Sequence, residues 1–128
     1  MKFKTLLIIK AIVCLGFGPL LVFAPRGLLG FLGASLGTGG VFTAQEYGAA
    51  MFGTLMLTWF ARNAVQTEAR TPILLHLFVY DAIGFVVTVL AVLSGVLNVF
   101  GWSIVAVYLF FTAGSGYLLL AKPAAVKA

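Results

Sequence analysis

Charge is what this sequence has least of. Among 128 residues there are eight Lys and Arg, three Asp and Glu and one His, so charged side chains make up only 9% of the chain. A water-soluble domain of this size needs far more polar surface than that to cover its core, which excludes a soluble fold and leaves lipid as the matching solvent. The single cysteine, Cys14, excludes an internal disulfide and leaves no Cys-x-x-Cys or Cys/His set for a metal. The single histidine, His76, excludes the repeated Glu-x-x-His of dimetal helical sites. The net charge of +5 is spread over segment ends instead of forming a basic stripe, which argues against nucleic acid as a partner. Gly-rich phosphate loops followed by Lys-Ser/Thr are missing, as is a Ser or Thr beside a base in a recognisable motif. No catalytic residue, metal or cofactor is expected.

What is present is apolar length: 62% of the residues are hydrophobic, and the mean hydropathy is +1.16. A bilayer core of ~30 Å takes ~20 helical residues to cross. Four runs reach that length, at about residues 5–25, 41–61, 72–94 and 99–121. The fold class expected is therefore all-α, a single transmembrane domain built as a bundle of four transmembrane helices.

The connections differ in character. Between the first two spans, leucines and Phe31 recur among glycines, which predicts a short interfacial segment followed by the flexible turn Gly37-Thr38-Gly39-Gly40. The second connection, Arg62 to Thr71, is polar, whereas the third is only Gly95-Val96-Leu97-Asn98 and makes a helical hairpin of the last two spans. Lys2, Lys4, Arg62, Arg70, Lys122 and Lys127 then fall on one side of the membrane and Arg26 alone on the other. Positive flanks are retained in the cytoplasm, so both termini are expected there. The first run resembles a secretory signal, but Lys10 interrupts its apolar stretch and no A-x-A pattern follows, so we read it as a permanent span.

Ionisable groups in hydrocarbon cost about 2.5–3.5 kcal/mol each on insertion scales, which makes Lys10, Glu46, Asp81 and His76 the candidates for function. At ~1.5 Å per residue, Lys10 lies ~8 Å and Asp81 ~13 Å from the cytoplasmic face, and Glu46 ~5 Å from the opposite one. A lysine stem spans the difference between Lys10 and Asp81, so a buried ion pair joining the first and third spans is expected, with an ion or proton site at Asp81 as the functional alternative. Glu46 is expected to pair with Arg26. Glu46 and Asp81 are too far apart in depth to act as paired carboxylates. His76, one turn before Tyr80, reads as an interfacial histidine more readily than as a haem or metal ligand. Trp59 and Trp102 read as interface anchors, with Asn98 beside the latter.

Small residues allow close helix approach in lipid, and polar ones bond across the seam. Four stripes fit that role: Lys10, Cys14 and Gly18 on the first span; Glu46, Ala49, Ala50, Gly53 and Leu57 on the second; Asp81, Gly84, Thr88 and Gly95 on the third; Tyr108, Thr112, Ser115 and Gly116 on the fourth. All four are expected to face inward.

The run Ala44-Gln45-Glu46-Tyr47-Gly48-Ala49-Ala50-Met51-Phe52-Gly53, then Trp59-Phe60-Ala61-Arg62-Asn63, Asp81-Ala82-Ile83-Gly84-Phe85 and Leu93-Ser94-Gly95-Val96-Leu97-Asn98, resembles small four-helix bacterial membrane proteins, broadly DoxX-like. The resemblance implies a four-helix bundle in a bacterial inner (cytoplasmic) membrane and assigns no activity and no residue roles. With thin loops and no soluble domain, the first functional expectation is a non-enzymatic accessory or structural subunit, in contact with membrane lipids and with other membrane subunits or itself. The second is an oligomeric transporter or channel component with an ion or proton site at Asp81. The third is a membrane enzyme or carrier acting on a quinone or lipid.

Overall fold

In the computed structural model, which describes residues 1–121, every regular element is a helix. The order is α1 (Phe3–Phe23), α2 (Pro25–Phe31), α3 (Thr38–Ala61), α4 (Thr67–Leu93) and α5 (Gly101–Leu120). Lys122 and Lys127, which contribute to the charge asymmetry read from the sequence, lie outside the described residues. By length and composition α1, α4 and α5 can cross a membrane. At 24 residues α3 has the length as well, but Thr38, Thr43, Gln45 and Glu46 make its first turns more polar than those of the other three.

The interfacial segment folds as α2, with Pro25 at its first position, where a missing N–H costs nothing. The polar connection is shorter than the sequence suggests because α4 begins at Thr67, ahead of Pro72. A proline in the second turn removes one hydrogen bond, and Glu68 in the first turn offsets part of that loss through the helix dipole.

Glycines stop two helices by the same device. Gly33 ends α2 at φ +88° and Gly95 ends α4 at φ +82°. Around each, two backbone bonds run back into the last turn: Gly33 N to Gly30 O and Ala34 N to Leu29 O in the first case, Gly95 N to Val92 O and Val96 N to Ala91 O in the second. This is the paired bonding of a Schellman motif, which needs a residue tolerant of positive φ.

The four long helices alternate in direction. The tightest pairing of α1 with α3 is at Gly48, where an added Cβ would stand 2.7 Å from Val22 Cγ2 and 3.1 Å from the Gly18 carbonyl oxygen. The α4–α5 pair closes in the same way at Gly84, whose Cβ would fall 2.4 Å from the Tyr108 ring, and at Gly101 against Val92. The two pairs then meet through side chains. At the end that holds the start of α1, Phe3, Leu6, Leu7, Ile73, Leu74, Leu77 and Phe111 form a solid buried cluster. Toward the α2 end the pairs part around a cavity.

Two bonds and a ring stack tie α2 across that end. The Asn98 backbone N–H donates to the Leu32 carbonyl at 2.7 Å, and its side-chain amide donates to the Phe31 carbonyl at 3.0 Å. Phe31 stacks on Phe100 with ring centroids 4.8 Å apart. Asn98 is therefore a clasp between the α1–α3 connection and the α4–α5 turn, where the sequence suggested only an interface marker.

Candidate functional site

Lys10 sits in the third turn of α1 and Asp81 midway along α4, and the fold brings them together. The Lys10 ammonium donates to Asp81 Oδ1 at 2.6 Å, with 2% and 0% of the two side chains exposed. Two aromatic faces complete the lysine's surroundings, the Tyr80 ring at 4.9 Å and the Phe111 ring at 4.4 Å, each able to share in stabilising the cation. The other carboxylate oxygen, Asp81 Oδ2, is buried and has no hydrogen-bond partner among the described residues.

Above this pair three tyrosines converge from three helices. Tyr47 of α3 and Tyr108 of α5 share a hydroxyl–hydroxyl bond of 2.6 Å. Tyr80 of α4 packs against both, its ring centroid 6.3 Å from each of theirs. His76 also stacks on Tyr80, at 5.9 Å, and is itself exposed.

The cavity begins at these residues and runs toward α2. Its volume is about 560 Å³, within the ~300–1,000 Å³ range of pockets that hold one small organic ligand. Lys10, Tyr47, Tyr80, Tyr108, Thr43 and Thr88 supply polar groups, Phe17, Leu21, Met51, Ile104 and Val107 apolar walls, and Leu28, Leu29, Leu32, Leu36 and Leu97 the α2 end. The result is a partly open, amphiphilic pocket between the helices, with one member of a buried ion pair, Lys10, on its polar wall.

Other expected contacts are not formed. Glu46 and Arg26 are both exposed, and the Lys10–Asp81 pair is the only salt bridge among the described residues. The cause is the rotation of α3. Because Gly48 must face α1 to admit Val22 and Leu21, the residues two before and one and five after it, Glu46, Ala49 and Gly53, turn outward. Gln45 instead reaches α1, donating from Nε2 to the Val22 carbonyl at 3.1 Å. A Cβ on Gly53 would meet nothing within 4 Å, so neither it nor Ala49 lies at a seam of this chain. The seam residues of α3 are Gly48, Met51 and Thr58.

On the other helices the small residues do lie at contacts. Gly18 faces Phe52 at 3.6 Å, Gly84 faces Tyr108, Gly116 faces Phe78 at 3.1 Å, and Thr88 is buried. Their neighbouring hydroxyls, however, do not bond across helices. Thr112 donates to the Tyr108 carbonyl at 2.7 Å and Ser115 to the Phe111 carbonyl at 2.6 Å, the preceding-turn acceptor that a helical Ser or Thr reaches without a partner. Tyr47 is the site residue that no sequence pattern singles out. Its only signal is that it follows Glu46 within an unusually polar first part of α3.

Among the described residues no group of three or more His, Cys, Asp or Glu stands close enough to hold a metal ion. No protein-family model matches the chain, and neither does any curated protein or solved structure.

Proposed function

We propose that the chain is an integral membrane protein of four spans that holds a membrane-soluble amphiphile between its helices and works without catalysing a reaction. One observation carries this reading: an interhelical cavity of about 560 Å³ with mostly apolar walls and, at one end, Lys10 beside three tyrosines. Pockets of this composition are the usual form of small-molecule sites. The fourth span is α3, whose 24 residues make ~36 Å of helix and which alternates in direction with the other three. The positive-inside reading puts the ends of α1 and α3 that carry Lys2, Lys4 and Arg62, and the start of α4 with Arg70, on the cytoplasmic side of a bacterial inner membrane. The outer walls support burial in lipid, with Phe23 82%, Phe60 76% and Leu120 89% exposed.

The test is a purification in gentle detergent followed by solvent extraction and mass spectrometry of what the protein carries. One amphiphile enriched over the bulk lipids at about one per chain is the expected result, lost when Ala44→Phe fills the cavity. Bulk lipid composition in both preparations would sink the reading.

A second reading, that the protein is an accessory subunit of a larger membrane complex, is favoured by the outer face of α3. Glu46 stands there without an ion-pair partner among the described residues, beside Ala49, Ala50 and Gly53. A carboxyl group and small side chains on one lipid-facing wall suit close approach by a helix that carries a donor. Larger subunits copurifying in fixed ratio, and released by Gly53→Ile, would support it; recovery of the chain alone would not.

A further inference from the structure

Of the polar groups on the cavity wall, the tyrosine and threonine hydroxyls both donate and accept, whereas the Lys10 ammonium only donates. The Tyr47 and Tyr108 hydroxyls bond each other and Tyr80 packs against both rings, so three phenol groups stand together on one wall. Lys10 has three N–H donors, one of which goes to Asp81; its remaining directions face the Tyr80 and Phe111 rings, which accept only weakly. Asp81 itself does not line the cavity, so neither its Oδ1, which accepts from Lys10, nor its unpartnered Oδ2 is offered to a guest.

The charge at this end is already balanced. Lys10 and Asp81 form a neutral pair at 2.6 Å, buried to 2% and 0% exposure. An anionic head would have to compete with Asp81 for the lysine, and a cationic head would find no free carboxylate on the cavity wall. Desolvating either charge without a counter-charge is unfavourable. An uncharged oxygen acceptor escapes both penalties and can take hydrogen bonds from Lys10 and from the tyrosine hydroxyls.

We propose that the occupant is an uncharged carbonyl compound on an apolar tail, its oxygen accepting hydrogen bonds from the Tyr80 hydroxyl, the Tyr47–Tyr108 pair and Lys10, and its tail lying along Phe17, Leu21 and Met51 toward the leucines of α2. This rests on the reading of the cavity as a ligand site and specifies what that site selects. The size fits one ring or one chain with its head group, within the small-ligand range and short of a two-chain lipid.

Three probes of matched length separate the possibilities: methyl pentadecyl ketone, palmitic acid and hexadecane, each titrated into the detergent-solubilised protein and counted as bound adducts by native mass spectrometry. The ketone is expected at one per chain and about tenfold tighter than hexadecane, with palmitate weaker than the ketone. Tyr80→Phe and the double change Tyr47→Phe with Tyr108→Phe keep the packed rings and remove the donors. Each is expected to weaken the ketone about three- to tenfold, the worth of one hydrogen bond, and to leave hexadecane unmoved. Equal binding of ketone and hexadecane, tighter binding of palmitate, or ketone affinity indifferent to the tyrosine changes would overturn the proposal while leaving the cavity a ligand site. Failure of all three probes to bind the wild-type chain better than Ala44→Phe would overturn the site itself.

Discussion

Lys10 and Asp81, 71 residues apart in sequence, meet at 2.6 Å in the only ion pair among the described residues. The bond ties α1 to α4 at the level where the solid cluster of Leu6, Leu7, Leu74 and Leu77 gives way to the cavity. One pair thus serves as the latch between the two helix pairs and as the counter-charge that lets a lysine border an apolar space.

Removing one partner leaves the other charged and buried. Asp81→Asn or Lys10→Met alone should destabilise the protein by about 3–5 kcal/mol, whereas Lys10→Met combined with Asp81→Leu should recover much of that loss. Reversible unfolding in mixed micelles, read by circular dichroism across the double-mutant cycle, gives the coupling directly. Additive losses would show that the two groups do not act as a pair.

The glycines of α3 and α4 separate seams from open faces. Gly84→Ala drives a methyl group to 2.4 Å from the Tyr108 ring, and Gly48→Ala to 2.7 Å from Val22, so each should cost about 1–3 kcal/mol by overpacking. Gly53→Ala meets nothing within 4 Å and should be neutral, or stabilise α3 by up to about 1 kcal/mol through helix propensity. Thermal melting of the three variants in one detergent checks the order.

At the α2 end, Gly33→Ala meets two obstacles, a φ of +88° and Asn98 Cβ at 2.9 Å, while Gly95→Ala meets only the backbone penalty of φ +82°. The first should therefore be the more destabilising, the second costing about 1–2 kcal/mol. Asn98→Ala removes the side-chain bond to the Phe31 carbonyl and the one that Asn98 Oδ1 accepts from the Phe100 N–H, and should raise amide exchange across Pro25–Phe31 and the start of α5 with little change in α4. Exchange mass spectrometry that found α2 unaffected would show the clasp to be dispensable.

The four-span reading predicts labelling from opposite sides. With Cys14 changed to Ala, a cysteine at Lys4 or Gln66 should react with an impermeant maleimide only after inner-membrane vesicles are opened to the cytoplasmic side, and a cysteine at Ser35 or Gly95 only from the other side. Gln66 and Ser35 labelled from the same side would remove α3 from the count of spans.

Hydropathy is a local property, and so the number and approximate limits of the long helices were legible in composition alone, as was the approach of Lys10 to Asp81, because depth follows from distance along each helix. Which side of a helix turns inward was not. Where every face of a helix is apolar, no stripe distinguishes lipid from neighbour, and the rotation of α3 is decided by where its backbone can approach another. Gly48 meets α1 and Gly53 meets open space, although both are glycines in similar surroundings. That rotation carries Glu46 outward and Tyr47 inward, and with it comes everything that makes the interior a site. The meeting of Tyr47, Tyr80 and Tyr108 depends on three helices at once, and the cavity beside them exists only because the two tight helix pairs are joined by long side chains at one end and held apart at the other.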